Sequence, residues 1–141
     1  MSWKMRDPLF RGDSKLAVTP PVPSTRLSVV AHILYLGGHG RPTPYTSVTE
    51  LEATAEHFAG RAGAVWKTDV ATAKHEAAGH ISRDQLERDL KGTGKGRAKW
   101  TSAWEVAQAR ADVIRWSEHL FDWSGTPDEQ AEAKMKATFR R

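Results

Sequence analysis

Three short stretches of this chain carry residue types that can do chemistry. Leu9-Phe10-Arg11-Gly12-Asp13-Ser14 comes first, Tyr45-Thr46-Ser47-Val48-Thr49-Glu50 second and Ala103-Trp104-Glu105-Val106 third. A guanidinium presents several donors in a fixed fork that fits phosphate oxygens. A glycine beside it lets backbone approach a ligand closely. Hydroxyls on a strand entering a helix can fix the rotamer of a carboxylate, and a fixed carboxylate stabilises positive charge that develops next to it. Together the three pieces suit an anionic substrate with a bond that breaks to leave a cation.

The elements that must position these groups follow from period and punctuation. Leu9 to Asp13 reads as a short strand ending in a tight turn. A Pro-rich loop over 18–24 leads to a helix capped by Ser24 or Thr25, with Leu27, Val30, Ala31, Leu34 and Tyr35 at helical spacing. Gly37-Gly38 ends it, and a basic loop runs from Gly37 to Pro44. A strand near Thr43–Val48 enters a helix through the capping box Thr49/Glu52, and that helix runs through Ala55, Phe58 and Ala59 to Gly60. Ala64–Val70 reads as a strand. Ser82 and Gln85 form a second box, with Ile81 and Leu86 as a hydrophobic staple, for a helix ending at Gly92. A basic loop spans Gly92 to Lys99, Ala103–Ala109 reads as a strand, and 112–123 satisfies parts of both periods. Thr126, Pro127 and Glu129 open a last helix over about 127–139. Short strands among peripheral helices predict an α+β domain.

The order of the pieces resembles the mono-ADP-ribosyltransferases of the cholera-toxin-like, Arg–Ser–Glu group. Leu9 to Ser14 is similar to that group's first-strand motif, Tyr45-Thr46-Ser47 to its Ser-Thr-Ser motif, and Ala103 to Val106 to the strand with the catalytic glutamate. Ile114 and Trp116 resemble its C-terminal strand. The match spans roughly residues 9–122. It implies a single domain over 1–141 with its core at about 9–123, folded as a split β-sandwich of two small sheets with peripheral helices. It implies NAD as co-substrate, with Arg11, Ser47 and Glu105 catalytic and with Arg11, Gly12, Tyr45, Thr46, Ser47 and Phe58 around the dinucleotide. Ala103 and Trp104 then lie on the acceptor side. Two departures stand out. Tyr45 occupies the place of the family's first serine, which leaves open whether Tyr45 or Ser47 meets the glutamate. Ala103 stands where arginine-modifying relatives carry a second glutamate, which weighs against protein arginine as acceptor. The resemblance further implies a bacterial toxin or effector acting in the cytoplasm of a target cell after delivery, or after export without a signal peptide. Its partners would be a protein or nucleic-acid acceptor and a cognate immunity or antitoxin protein.

Bulk properties narrow the field. The 141 residues suffice for one domain with a real core. No apolar run approaches the ~20 residues of a membrane span, and Met-Ser-Trp-Lys-Met-Arg-Asp-Pro has no apolar stretch of a signal peptide. Without delivery or export, the expected location is cytoplasmic. Cysteine is absent, which excludes disulfides and thiolate metal sites. A net charge of +4 is mild but admits a polyanionic partner. Two other readings therefore stand beside the transferase: an NAD glycohydrolase with water as acceptor, and a non-catalytic basic nucleic-acid-binding domain using Lys91–Lys99 and the tryptophans. His75-Glu76-Ala77-Ala78-Gly79-His80 has one residue too many for a helical zinc pair, and no metal is expected. Gly92 to Arg97 lacks the order of a phosphate-binding loop. Asp112 and Glu118 suggest a carboxylate pair whose geometry nothing in the sequence fixes.

Overall fold

A computed structural model describes residues 3–36 and 42–141. The predicted Gly37-Gly38 helix stop and the start of the basic loop after it lie outside these residues. The fold is α+β, with one five-stranded antiparallel sheet in the order β3-β1-β2-β5-β4. Its strands are β1 (Leu9–Asp13), β2 (Tyr45–Thr49), β3 (Ala64–Thr68), β4 (Gly79–Ile81) and β5 (Glu118–Asp122). The helices are α1 (Val29–Ala31), continued by a π-helical turn at His32–Leu36, α2 (Glu52–Ala59), α3 (Val70–His75), α4 (Arg83–Asp89), α5 (Ala103–Trp116) and α6 (Ala131–Thr138).

The expected pair of small sheets is thus corrected to one sheet, but the join in its middle is thin. β1 and β3 share five register pairs, and so do β2 and β5. β1 and β2 share one, Phe10 with Thr49. Beyond that pair the two strands diverge, and the Arg11 guanidinium bridges the gap by donating from Nη1 to the Ser47 carbonyl at 3.0 Å.

Strand alternation builds a core on each face. Leu9, Val48, Phe121 and Trp123 pack with Val70 and Ala73 of α3 and Met135 of α6. Tyr45 and Leu120 pack with Val29 and Val30 of α1, Leu86 of α4, and Val106, Ala109 and Val113 of α5. The last three fall at helical spacing, and they correct the strand expected at Ala103–Ala109. Ser102 caps α5 by accepting from the Glu105 backbone N–H. Ser102-x-x-Glu105 is therefore a helix start, and its alanines favour the helix. The predicted Ser82 cap on α4 is present, with the hydroxyl accepting from Gln85 N–H at 3.1 Å. Elsewhere the caps shift. Ser28 rather than Ser24 caps α1, while Ser24 holds the Asp128 carboxylate. His75 ends α3 and His80 lies on β4, so the two histidines do not share a helix face.

Gly12 is required by packing. A β-carbon on it would overlap the Ala55 carbonyl oxygen, because α2 lies directly against β1. The close approach is helix on strand, where the sequence had suggested strand on ligand. Gly12→Ala is expected to lower stability by about 1–3 kcal/mol through overpacking. The denaturation midpoint measures this, and an unchanged midpoint would show that α2 does not sit where described.

Candidate active site

A cavity of about 500 Å³ opens where β1 and β2 diverge, with α2 and the end of α5 on its sides. Four side chains define its chemistry: Arg11, His32, Ser47 and Glu118.

Glu118 is the first residue of β5 and is buried, at 8% exposure. Strand register, a tight turn and two hydrogen bonds to backbone carbonyls place it. The β2–β5 register sets Ser47 opposite Leu120 and Thr49 opposite Glu118, so Ser47 and Glu118 are diagonal neighbours on one face. Ser117 turns the chain out of α5 in the left-handed conformation, φ 48°. The Thr49 hydroxyl donates to the Trp116 carbonyl at 2.5 Å, and the Glu50 N–H donates to the Ser117 carbonyl at 3.1 Å. The Ser47 hydroxyl then donates to Glu118 Oε2 at 2.6 Å. Burial raises the Glu118 pKa to about 7; Asp112 adds to the rise, while the Ser47 hydrogen bond and the Arg11 charge oppose it.

His32 sits in the π-helical turn after α1, with 3% of its surface exposed. Its Nε2 lies 2.8 Å from Ser47 Oγ and its Nδ1 2.7 Å from Thr43 Oγ1. Burial, assisted by the Arg11 charge, drives its pKa down to about 3, so the imidazole is neutral. Its lowered pKa makes His32 a weak base toward Ser47, and its other nitrogen faces a hydroxyl, where the histidine of a nucleophilic serine centre is oriented by a carboxylate.

Arg11 spends one donor on Ser47 O and lies 3.5 Å from Asp13 Oδ2. Its Nε is buried and has no hydrogen-bond partner among the described residues. A buried guanidinium with an unused donor suits an anionic ligand group. Around it, Tyr45 lines the cavity with its ring edge against His32 at 5.5 Å. Phe58 is half-exposed at the rim, 5.1 Å from Trp116.

Of the residues expected from sequence, Arg11, Gly12, Tyr45, Ser47 and Phe58 line this cavity. Ser47 meets a carboxylate, while the Tyr45 hydroxyl donates to Leu27 O at 3.4 Å. Thr46 contributes to the wall, but its side chain turns to the other face, where Oγ1 accepts from Trp123 Nε1 at 3.1 Å and donates to Met135 Sδ at 3.9 Å. Glu105 is corrected outright. It lies in the first turn of α5, away from the cavity, and accepts from Trp100 Nε1 at 3.0 Å. Trp104 beside it is 70% exposed, and Ala103 lines a separate shallow groove with Leu90 and Ile114. The carboxylate in the cavity is Glu118, with Asp112 also on the wall. His32 went unseen in the sequence; its one signal is a lone histidine within an apolar helical run. Among the described residues, no group of three or more His, Cys, Asp or Glu side chains is placed to hold a metal ion.

No family model, curated protein or solved structure matches the chain.

The titrating groups make a prediction with a worked sign. His32, His80 and His119 are held to about 3, 4 and 4, each chiefly by burial. The unfolded chain takes up these protons near 6.5 while the folded chain refuses them, so stability falls as pH drops below that value. Glu118 acts oppositely: its raised folded pKa stabilises the fold as pH falls from about 7 toward 4.5. Glu50, its pKa also raised by burial, acts with Glu118, but the three histidines outweigh them, so protons are taken up on unfolding between pH 6.5 and 4.5, read as the slope of unfolding free energy against pH. Above pH 7 the ionised Glu118 is a cost. Glu118→Gln is accordingly expected to raise stability at pH 8 by on the order of 1–3 kcal/mol, measured by chemical denaturation.

Proposed function

We propose that this protein is an NAD-dependent mono-ADP-ribosyltransferase in which Arg11, Ser47 and Glu118 form the Arg–Ser–Glu set. The observation that carries the reading is the meeting of these three residues, remote in sequence, at one cavity in the split of the sheet. The cavity volume lies within the range of small-molecule sites.

The roles follow from the chemistry. Arg11, with a buried and unpartnered Nε, holds the pyrophosphate. Glu118 keeps Oε2 on Ser47 and leaves Oε1 for the ribose 2′-hydroxyl. As the C1′–N bond breaks, its electron pair leaves with nicotinamide and the sugar becomes oxocarbenium-like. A carboxylate fixed beside it stabilises that charge. Phe58 and Tyr45 supply aromatic surface for the nicotinamide. The acceptor side changes with the glutamate. The residue two before Glu118 is Trp116, so the second glutamate of arginine-modifying relatives is again absent. That favours another acceptor, on protein or nucleic acid. The toxin or effector setting, target-cell cytoplasm and a protecting partner protein belong to the same proposal. No helix is long and apolar enough to cross a membrane among the described residues.

Purified full chain incubated with labelled NAD and cell lysate is expected to release nicotinamide and leave label on a macromolecule. Label found only as free ADP-ribose would make the enzyme a glycohydrolase. Glu118→Gln is expected to lower turnover by about 10²–10³, whereas Glu105→Gln stays near wild type. No nicotinamide release from wild type, or full activity in Glu118→Gln, would defeat the assignment.

A further inference from the structure

Four groups form an unbroken chain of hydrogen bonds along the cavity wall. Glu118 Oε2 and Ser47 Oγ are 2.6 Å apart, Ser47 Oγ and His32 Nε2 2.8 Å, and His32 Nδ1 and Thr43 Oγ1 2.7 Å. The two inner members, Glu118 and His32, are buried, whereas Thr43 is partly exposed and follows the exposed Pro42. We propose that Thr43, His32 and Ser47 are a proton relay along the cavity wall that connects the Glu118 carboxyl to solvent at Thr43.

The chain has two consistent polarities, and both can be written with every donor matched to an acceptor. With Glu118 ionised, the carboxylate accepts only, so Ser47 donates to it. His32 then donates from Nε2–H to Ser47 Oγ, and Thr43 donates to Nδ1. With Glu118 protonated, Glu118 donates to Ser47, Ser47 donates to Nε2, and His32 donates from Nδ1–H to Thr43 Oγ1. The two states interconvert without a lasting charge on the ring. In the deprotonating direction, the carboxyl proton passes to Ser47 Oγ as the serine proton passes to Nε2. The Nδ1 proton passes to Thr43 Oγ1, whose own proton leaves to water. Every O–H or N–H bond broken is replaced by one formed, and the net change is one proton moved from Glu118 to solvent. His32 changes tautomer in the process and remains neutral at both ends.

The groups facing the chain suit this use. Arg11 from β1 favours the ionised carboxylate and disfavours an imidazolium, while Asp112 from α5 favours the protonated carboxyl. Tyr45 from β2 packs its ring edge against His32 and fixes the ring plane. All four groups line the same cavity, so the chain lets a proton that Glu118 takes from an acceptor leave at Thr43, away from the carboxyl itself. That use rests on the transferase reading; the relay itself does not.

The test uses ¹⁵N-labelled full chain. The His32 ring signals are expected to show the Nε2–H tautomer above about pH 8 and the Nδ1–H tautomer below about pH 6. No imidazolium forms in this range, and the crossing falls near the Glu118 pKa of about 7. In Glu118→Ala the switch disappears. A single tautomer throughout, an imidazolium, or a switch that survives Glu118→Ala would overturn the relay whether or not the protein turns over NAD. With NAD turnover in hand, Thr43→Val is expected to lower kcat about ten- to a hundredfold with KM unchanged, and Thr43→Ser to restore it. A wild-type kcat in Thr43→Val would show that the relay is not used in turnover.

Discussion

The Arg11 guanidinium stands where a continuous sheet would carry ladder hydrogen bonds. β1 and β2 meet at Phe10 and Thr49 and then part, and the bond from Arg11 to the Ser47 carbonyl spans the opening. The cavity and the burial of the arginine follow from that parting. A residue with one fixed donor could not close the gap and still face a ligand. The fork can, because one nitrogen holds the strand while Nε remains without a partner.

The opposite wall depends on a different constraint. Glu118 begins β5 directly after a left-handed residue, so its position is set by how α5 ends. Thr49 and Glu50 fasten that ending by backbone carbonyls. Glu50 also accepts from Arg83 at 3.0 Å and lies 2.7 Å from His119, whose Nδ1 is 2.8 Å from His80. A polar network outside the cavity therefore anchors the turn that presents the carboxylate. A carboxylate this dry is poorly solvated, and its raised pKa expresses that strain.

The strand arginine, the hydroxyl strand and the capped helix after Ser82 were legible because each is a local pattern. Ser47 and Glu118 meet only through a pairing 71 residues apart in sequence, and no window of sequence contains both. Glu105 lies on a helix for a specific reason. Ala103-Trp104-Glu105-Val106 is short and apolar enough to pass for a strand, while Ser102 and Glu105 together spell a helix cap. The cap won, because Val106, Ala109 and Val113 bury one helical face. His32 was invisible for another reason: its partners come from β2 and the segment before it, and its neighbours in sequence are apolar.

The thin join at Phe10 and Thr49 leaves two strand groups, β3-β1 and β2-β5-β4, that meet through the shared core of Leu9, Val48 and Phe121 and through the Arg11 bond. Because Nε is separate from the Nη1 that holds Ser47 O, an anion can be held there with the strand bond intact. One side chain thus both ties the two strand groups together and presents a donor to the cleft between them.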